Sequence, residues 1–156
     1  MVEKILRKSF IINLLLVITI FLIDRLSKIY VIFLDKKYLG SEIFSSKYLN
    51  INLIWNEGIA FGLFSSNNQN NYNILTILIL LVISAIIFMI IKSKSNERYG
   101  LLMILGGALG NVFDRIIYKG VPDFIDFHVG DFHWFIFNVS DIFITIGVIL
   151  MIFFEI

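Results

Sequence analysis

Residues 101–115 read LLMILGGALGNVFDR, and residues 134–154 read WFIFNVSDIFITIGVILMIFF. Both are apolar stretches of the kind that cross bilayers, and both carry an acid that a bilayer disfavours. Asp114 closes the first and Asp141 interrupts the second, each with an asparagine three residues earlier, Asn111 and Asn138. On a helix, positions three apart share a face. An ionisable side chain within a span is costly and marks a functional site. Two such units, with Asp123, Asp126 and Asp131 between them, point to acid chemistry at a membrane.

The rest of the chain agrees with a membrane setting. It is 58% hydrophobic and 16% charged, with a mean hydropathy of +0.88, against about 45–50% and about 25% in soluble domains. Its 156 residues allow one compact unit, residues 1–156, rather than two domains. A net charge of +1 gives no case for nucleic-acid binding. No cysteine is present, so thiolate nucleophiles and cysteine-held metals are excluded, and any cysteine in the chemistry belongs to the substrate.

A span needs roughly 20 mostly apolar residues. Four segments qualify, at about 10–34, 74–91, 99–118 and 134–154. The basic residues Lys4, Arg7, Lys8, Lys92, Lys94 and Arg98 place the N-terminus and the second connection inside, which puts both termini in the cytoplasm. The basic start and apolar run resemble a signal peptide, but Asp24-Arg25 follows instead of a small-residue cleavage site, which predicts an uncleaved first span. The outer segment alternates apolar and polar at Leu49-Asn50-Ile51-Asn52-Leu53, a strand signal. The expected fold is therefore mainly α, with four transmembrane helices and a small β-rich element at about 36–66 on the outer, periplasmic face. The 65–73 run, SSNNQNNYN, reads as a flexible entry to the second span.

At 1.5 Å rise per residue, Asp24 and Asp114 lie roughly 20 Å along outward-running spans, and Asp141 roughly 10 Å down an inward-running one. All three converge on the outer third of the membrane, and Asp123 in the outer loop can fold back to that level. Two close carboxylates share a proton. One then activates water as a general base, while its protonated partner polarises a scissile carbonyl and later protonates the leaving amine. Asp123 and Asp141 are the candidate pair, with Asp126 and Asp131 as rival partners on spacing.

Other polar residues fit supporting roles. Asn111, Asp114 and Arg115 are placed to bind substrate polar groups, or else to anchor a helix end with the arginine snorkelling. Asn138, one turn from Asp141, is placed to hydrogen-bond it, and Ser140 reads as filler. Asp24 and Lys28, four apart with the acid first, form a helical ion pair, with Ser27 beside them. Gly106-x-x-x-Gly110 reads as a close helix contact. Asp126-Phe-His128 and Asp131-Phe-His133 hint at a metal, but with two histidines and no His-Glu-x-x-His a turn around Gly130 is the better reading, and no metal is assigned. A small proton- or ion-coupled transporter is the competing function, since intramembrane acids also relay protons. Against it, the acids cluster on one side and the second span carries none.

These blocks, in order, resemble the lipoprotein signal peptidase family, also called signal peptidase II. Asp24-Arg-Leu-Ser27-Lys28 is similar to its first motif, and Asn56-Glu-Gly58-Ile-Ala60-Phe61-Gly62 to its second. Gly106 to Arg115 resembles its most specific signature, Val121-Pro-Asp123-Phe124 its Val-x-Asp-Phe, and Phe137-Asn138-Val-Ser140-Asp141 its Phe-Asn-x-Ala-Asp. The resemblance implies a bacterial inner-membrane aspartyl endopeptidase that uses no cofactor. It implies cleavage of prolipoproteins just before a diacylglyceryl-modified cysteine, contact with membrane lipid, and inhibition by globomycin-type cyclic peptides. By resemblance the dyad is Asp123 and Asp141. Asp24, Lys28, Asn56, Gly58, Asn111, Asp114, Arg115 and Asn138 match substrate-holding or supporting positions. Ser140, Ile59 and Pro122 depart from the usual pattern without removing a dyad member.

Overall fold

The computed structural model describes residues 2–58, 69–93 and 95–155. Ile59 to Gly62 of the second motif, and residues 65–68 of the asparagine-rich run, lie outside them, while residues 69–73 of that run are already helical. The elements run α1 (Val2–Lys37), β1 (Phe44–Ser45), β2 (Leu49–Asn56), α2 (Gln69–Lys92), α3 (Ser95–Tyr118), β3 (Val121–Val129), β4 (Phe132–Phe137) and α4 (Val139–Glu155).

Three helices are long and apolar enough to cross a membrane, over Ser9–Lys37, Ile74–Lys92 and Glu97–Tyr118, and α4 is a shorter apolar helix. Their large side chains face outward. Leu14, Leu15, Leu22, Leu26, Leu81, Val82, Ile116 and Phe153 are among many exposed apolar residues. In water such a surface would aggregate, whereas in lipid it is the favoured one. α3 packs against each of the other three helices, and its small residues allow that. A Cβ on Gly107 would sit 2.5 Å from the Ser140 backbone oxygen, and one on Gly106 2.9 Å from Ile20. The backbones of α3 and α4 therefore touch where any side chain would hold them apart.

The four strands form one antiparallel sheet in the order β1-β2-β3-β4. It is assembled from both outer segments rather than from residues 36–66 alone. The segment 119–133, expected as a loop, is instead most of a hairpin. Gly130, at φ +59°, opens its two-residue turn, a conformation that costs glycine little. Residues 134–137 were expected to begin a helical span but belong to β4. Aromatic and β-branched residues in Phe132–Phe137 suit a pleated surface, and pairing with β3 satisfies their backbone. Asn138 then ends the strand and opens α4. α1 ends in a Schellman arrangement, with Gly40 N donating to Asp35 O at 2.9 Å and Leu39 N to Lys36 O at 3.4 Å. The chain then turns into the sheet.

Candidate active site

Four elements deliver the acidic cluster: α1, α3, the start of α4 and strand β3. Lys28, fully buried on α1, is its hub. Its ammonium has three protons and three acceptors: Asp24 Oδ2 at 2.9 Å, Asn111 Oδ1 at 2.9 Å and Asp114 Oδ2 at 2.7 Å. Arg25 reaches Asp114 Oδ1 at 2.5 Å and lies over the Phe113 ring. Two acids and two bases thus neutralise one another in a site with almost no exposure, which is the condition for burying charge at tolerable cost. Arg25 was missed as a site residue in the sequence reading. An arginine inside a span was the available signal.

This hub orients the amide of Asn111. With Oδ1 held by Lys28, Nδ2 points the other way and donates to Asp141 Oδ1 at 2.9 Å. Asp141 lies in the first turn of α4, and its Oδ2 accepts the Asn138 backbone N–H at 3.1 Å, while Asp141 N donates to Asn138 Oδ1 at 3.2 Å. That reciprocal pair is a capping box. Asn138 is therefore the cap before the helix and does not share a helical face with Asp141. Asn111 and Asp114, by contrast, both lie within α3. The two Asn-x-x-Asp units look alike in sequence and do different things in the fold. Asp24 adds to the cap, its Oδ1 accepting Ser140 N at 3.0 Å. The Ser140 hydroxyl is buried without a hydrogen-bond partner among the described residues.

Asp123 sits on β3, not in a loop, and is 4% exposed. Asn138 Nδ2 donates to its Oδ1 at 2.6 Å and Asn56 Nδ2 to its Oδ2 at 2.9 Å. Burial, and then the charge of Asp141, push its pKa up to about 6, against the two amide donors. Asn56 is itself fixed, its Oδ1 accepting Gly58 N at 3.0 Å, and the Gly58 carbonyl accepts Arg115 Nη2 at 2.6 Å. Arg115 is accordingly buried, at 6% exposure, and does not snorkel. A cavity of about 330 Å³ is lined by Asn56, Asn111, Arg115, Asp123, Asn138 and Asp141. Asp141 also lines a neighbouring apolar cavity of about 510 Å³, bounded by Phe127, Phe132, Trp134, Phe137, Ile142 and Ile146.

The rival acids are set apart. The extra residues at the irregularities lie on the partner strands β2 and β4, so β3 itself alternates and Asp123 and Asp126, three apart, fall on opposite faces. Asp126 bonds His133 and Asn50 instead, and Asp131 occupies the exposed turn.

With this geometry, relationships to known proteins become decisive. The family model for signal peptidase (SPase) II, peptidase A8, matches residues 16–156. The chain belongs to the signal peptidase II family. A lipoprotein signal peptidase of Pelagibacter ubique (strain HTCC1062) is 50% identical over 98% of this chain and 92% of its own length. One of Anaplasma phagocytophilum (strain HZ) is 39% identical over 94% and 92%. Two solved bacterial membrane enzymes share the fold. One has a TM-score of 0.75 at 27% identity, covering 90% of this chain and 85% of that one, and the other 0.73 at 26%, covering 92% of each. As a member of the signal peptidase II family, the chain is a peptidase and a bacterial membrane protein, and four of its buried ions, Asp24, Arg25, Lys28 and Asp114, pair with one another in a single cluster rather than along a transport path.

Proposed function

We propose that this peptidase removes signal peptides from prolipoproteins, cutting just before a diacylglyceryl-modified cysteine, with Asp123 and Asp141 as its catalytic dyad. The observation that carries this reading is the position of Asn138. One side chain and its own backbone N–H hold both carboxylates on the wall of a single cavity. A water between the acids gives a proton to one carboxylate as its oxygen attacks the scissile carbonyl carbon. The other, protonated, carboxyl hydrogen-bonds the carbonyl oxygen. The C–N bond then breaks, and the amine leaves with a proton from the dyad. Asp24, Lys28, Asn111 and Asp114 hold Asp141 in place. Asn56 at the end of β2 does the same for Asp123, braced through Gly58 by Arg115 of α3.

The apolar cavity beside Asp141 suits acyl chains of the substrate, and globomycin-type cyclic peptides fit the same polar-beside-apolar site. No cofactor enters this scheme. The whole chain, 1–156, is read as one membrane domain of four spans, with α4 as the short fourth. At about 1.5 Å per residue its 17 residues extend roughly 25 Å, a little short of a hydrocarbon core about 30 Å thick. Basic residues in the N-terminal tail and in the 92–98 connection support cytoplasmic termini in the inner membrane, with the sheet and dyad on the periplasmic side.

The test is cleavage of a lipidated prolipoprotein by the purified protein. Parent enzyme should cleave it, Asp123→Asn and Asp141→Asn should lose at least about 10³-fold, and Asp131→Asn should stay near parent. Full activity in either dyad variant would sink the assignment. Equal cleavage of the unlipidated precursor would argue against the lipid-dependent substrate.

A further inference from the structure

A second constellation lies on the β3–β4 hairpin, apart from the acids of the dyad. Asp126 and His128 are two apart on β3 and so share a face. Regular pairing from Asp126↔Ile136 would set Trp134 opposite His128. Instead His128 pairs with His133, because β4 carries an extra residue between these pairs. Such bulges re-aim side chains. Here the bulge brings the His133 ring onto that of His128, with centroids 5.1 Å apart and planes 21° from parallel. His133 Nδ1 lies 2.9 Å from Asp126 Oδ2, and Asn50 Nδ2 steadies that carboxylate at 3.4 Å. His128 Nδ1 is buried without a hydrogen-bond partner among the described residues. A buried ring nitrogen left unpaired is costly.

We propose that Asp126, His128 and His133 form a site for a divalent transition ion of the zinc type. One ligand atom from each already lies within 4.8 Å of the others. Around a tetrahedral zinc they would be about 3.3 Å apart, a closure of about 1.5 Å. The half-exposed His133 supplies it by side-chain rotation. Two imidazole nitrogens and one carboxylate oxygen match the borderline softness of zinc. They leave a fourth position for water. A bound ion would pin the hairpin end of the apolar cavity, since His128 lines it together with Asp141. The site rests on its own residues and not on the peptidase reading.

The experiment is calorimetric titration of the full chain in detergent with zinc chloride, repeated with cobalt to read ligand-field absorbance. One saturable site is expected. His128→Gln and His133→Gln should each weaken it by at least about tenfold, since even outer partners of metal ligands are worth about 10–100-fold. His133→Asp, which keeps a ligand atom, should bind more tightly than His133→Gln, separating coordination from mere folding. Saturating zinc should raise the Tm of the parent and not of the double glutamine variant. No saturable binding to the parent overturns the proposal. So does binding that survives in the double variant, or that disappears in Asp123→Asn/Asp141→Asn while the histidines are intact.

Discussion

Asn138 and Asp141 cap each other. The asparagine side chain accepts the N–H of the aspartate, and the aspartate side chain accepts the N–H of the asparagine. Because the same Asn138 amide also donates to Asp123 at 2.6 Å, the turn that starts α4 and the alignment of the two acids are one structural event. A helix start is an apt place for a carboxylate that must be held in a membrane, since free N–H groups and the positive end of the helix face it.

Asn138 therefore has two separable roles. Asn138→Ser should keep a competent cap, while Asn138→Ala loses it at a cost of about 0.5–2 kcal/mol. Both lose the bond to Asp123. Thermal unfolding should then rank serine near parent and alanine below it, while cleavage assays show a similar drop in kcat for both. If the serine variant retained parent kcat, the Asp123 contact would have no part in catalysis.

Lys28 and Arg25 together neutralise two buried acids, and loss of Lys28 leaves Arg25 alone against both. Lys28→Met should destabilise the protein by about 3–5 kcal/mol. Adding Asp114→Asn removes one of the stranded charges, so the double variant should be more stable than Lys28→Met alone, a sign reversal that a denaturation series in detergent would show. Strict additivity would mean that the ion cluster is not coupled as its distances imply.

Contact between α3 and α4 depends on Gly107. Gly107→Ala puts a Cβ 2.5 Å from the Ser140 carbonyl oxygen and 2.8 Å from Ile144. Backbone cannot yield as a side-chain tip can, so a cost of about 1–3 kcal/mol is expected. Gly120→Ala is the control. Its Cβ would meet Trp55 at an ordinary 3.6 Å, and its Tm should stay near parent.

Asp123 gives the folded state a pH signature. Folding moves its pKa from 3.8 to about 6, so between those values the folded chain binds more protons than the unfolded one. The contribution of this group is fully present below about pH 3.8 and is lost as pH rises through 6, a change of about 3 kcal/mol. Asp123→Asn cannot titrate. Relative to parent, its Tm should therefore rise between pH 4 and pH 7 and level off above. Parallel Tm curves would show that Asp123 is not in the buried, like-charged setting described.

Much of this was legible in the chain. Apolar runs over α2 and α3, the i to i+4 pair Asp24–Lys28 and the alternation in β2 are local signals, and physics acts on them locally. The acids Asp24, Asp114 and Asp141 were placed at one level from helical rise alone, and in the fold Lys28 touches two of them and reaches the third through Asn111. What misled was helical periodicity carried too far. Residues 134–137 are as apolar as a span, and only pairing with β3 makes them a strand. Asn138 was assigned to a helix face for the same reason.

By itself the sequence determined that the chain lives in a membrane and carries costly acids toward one side of it, because burying charge in lipid is too expensive to be incidental. Tertiary structure alone decided which acids meet. Asp123 and Asp126 are three residues apart on a strand, so the pleat sends them to opposite faces. The pairing of β3 with β2 and the cap on α4 bring Asp123, rather than its neighbour, to the cavity shared with Asp141.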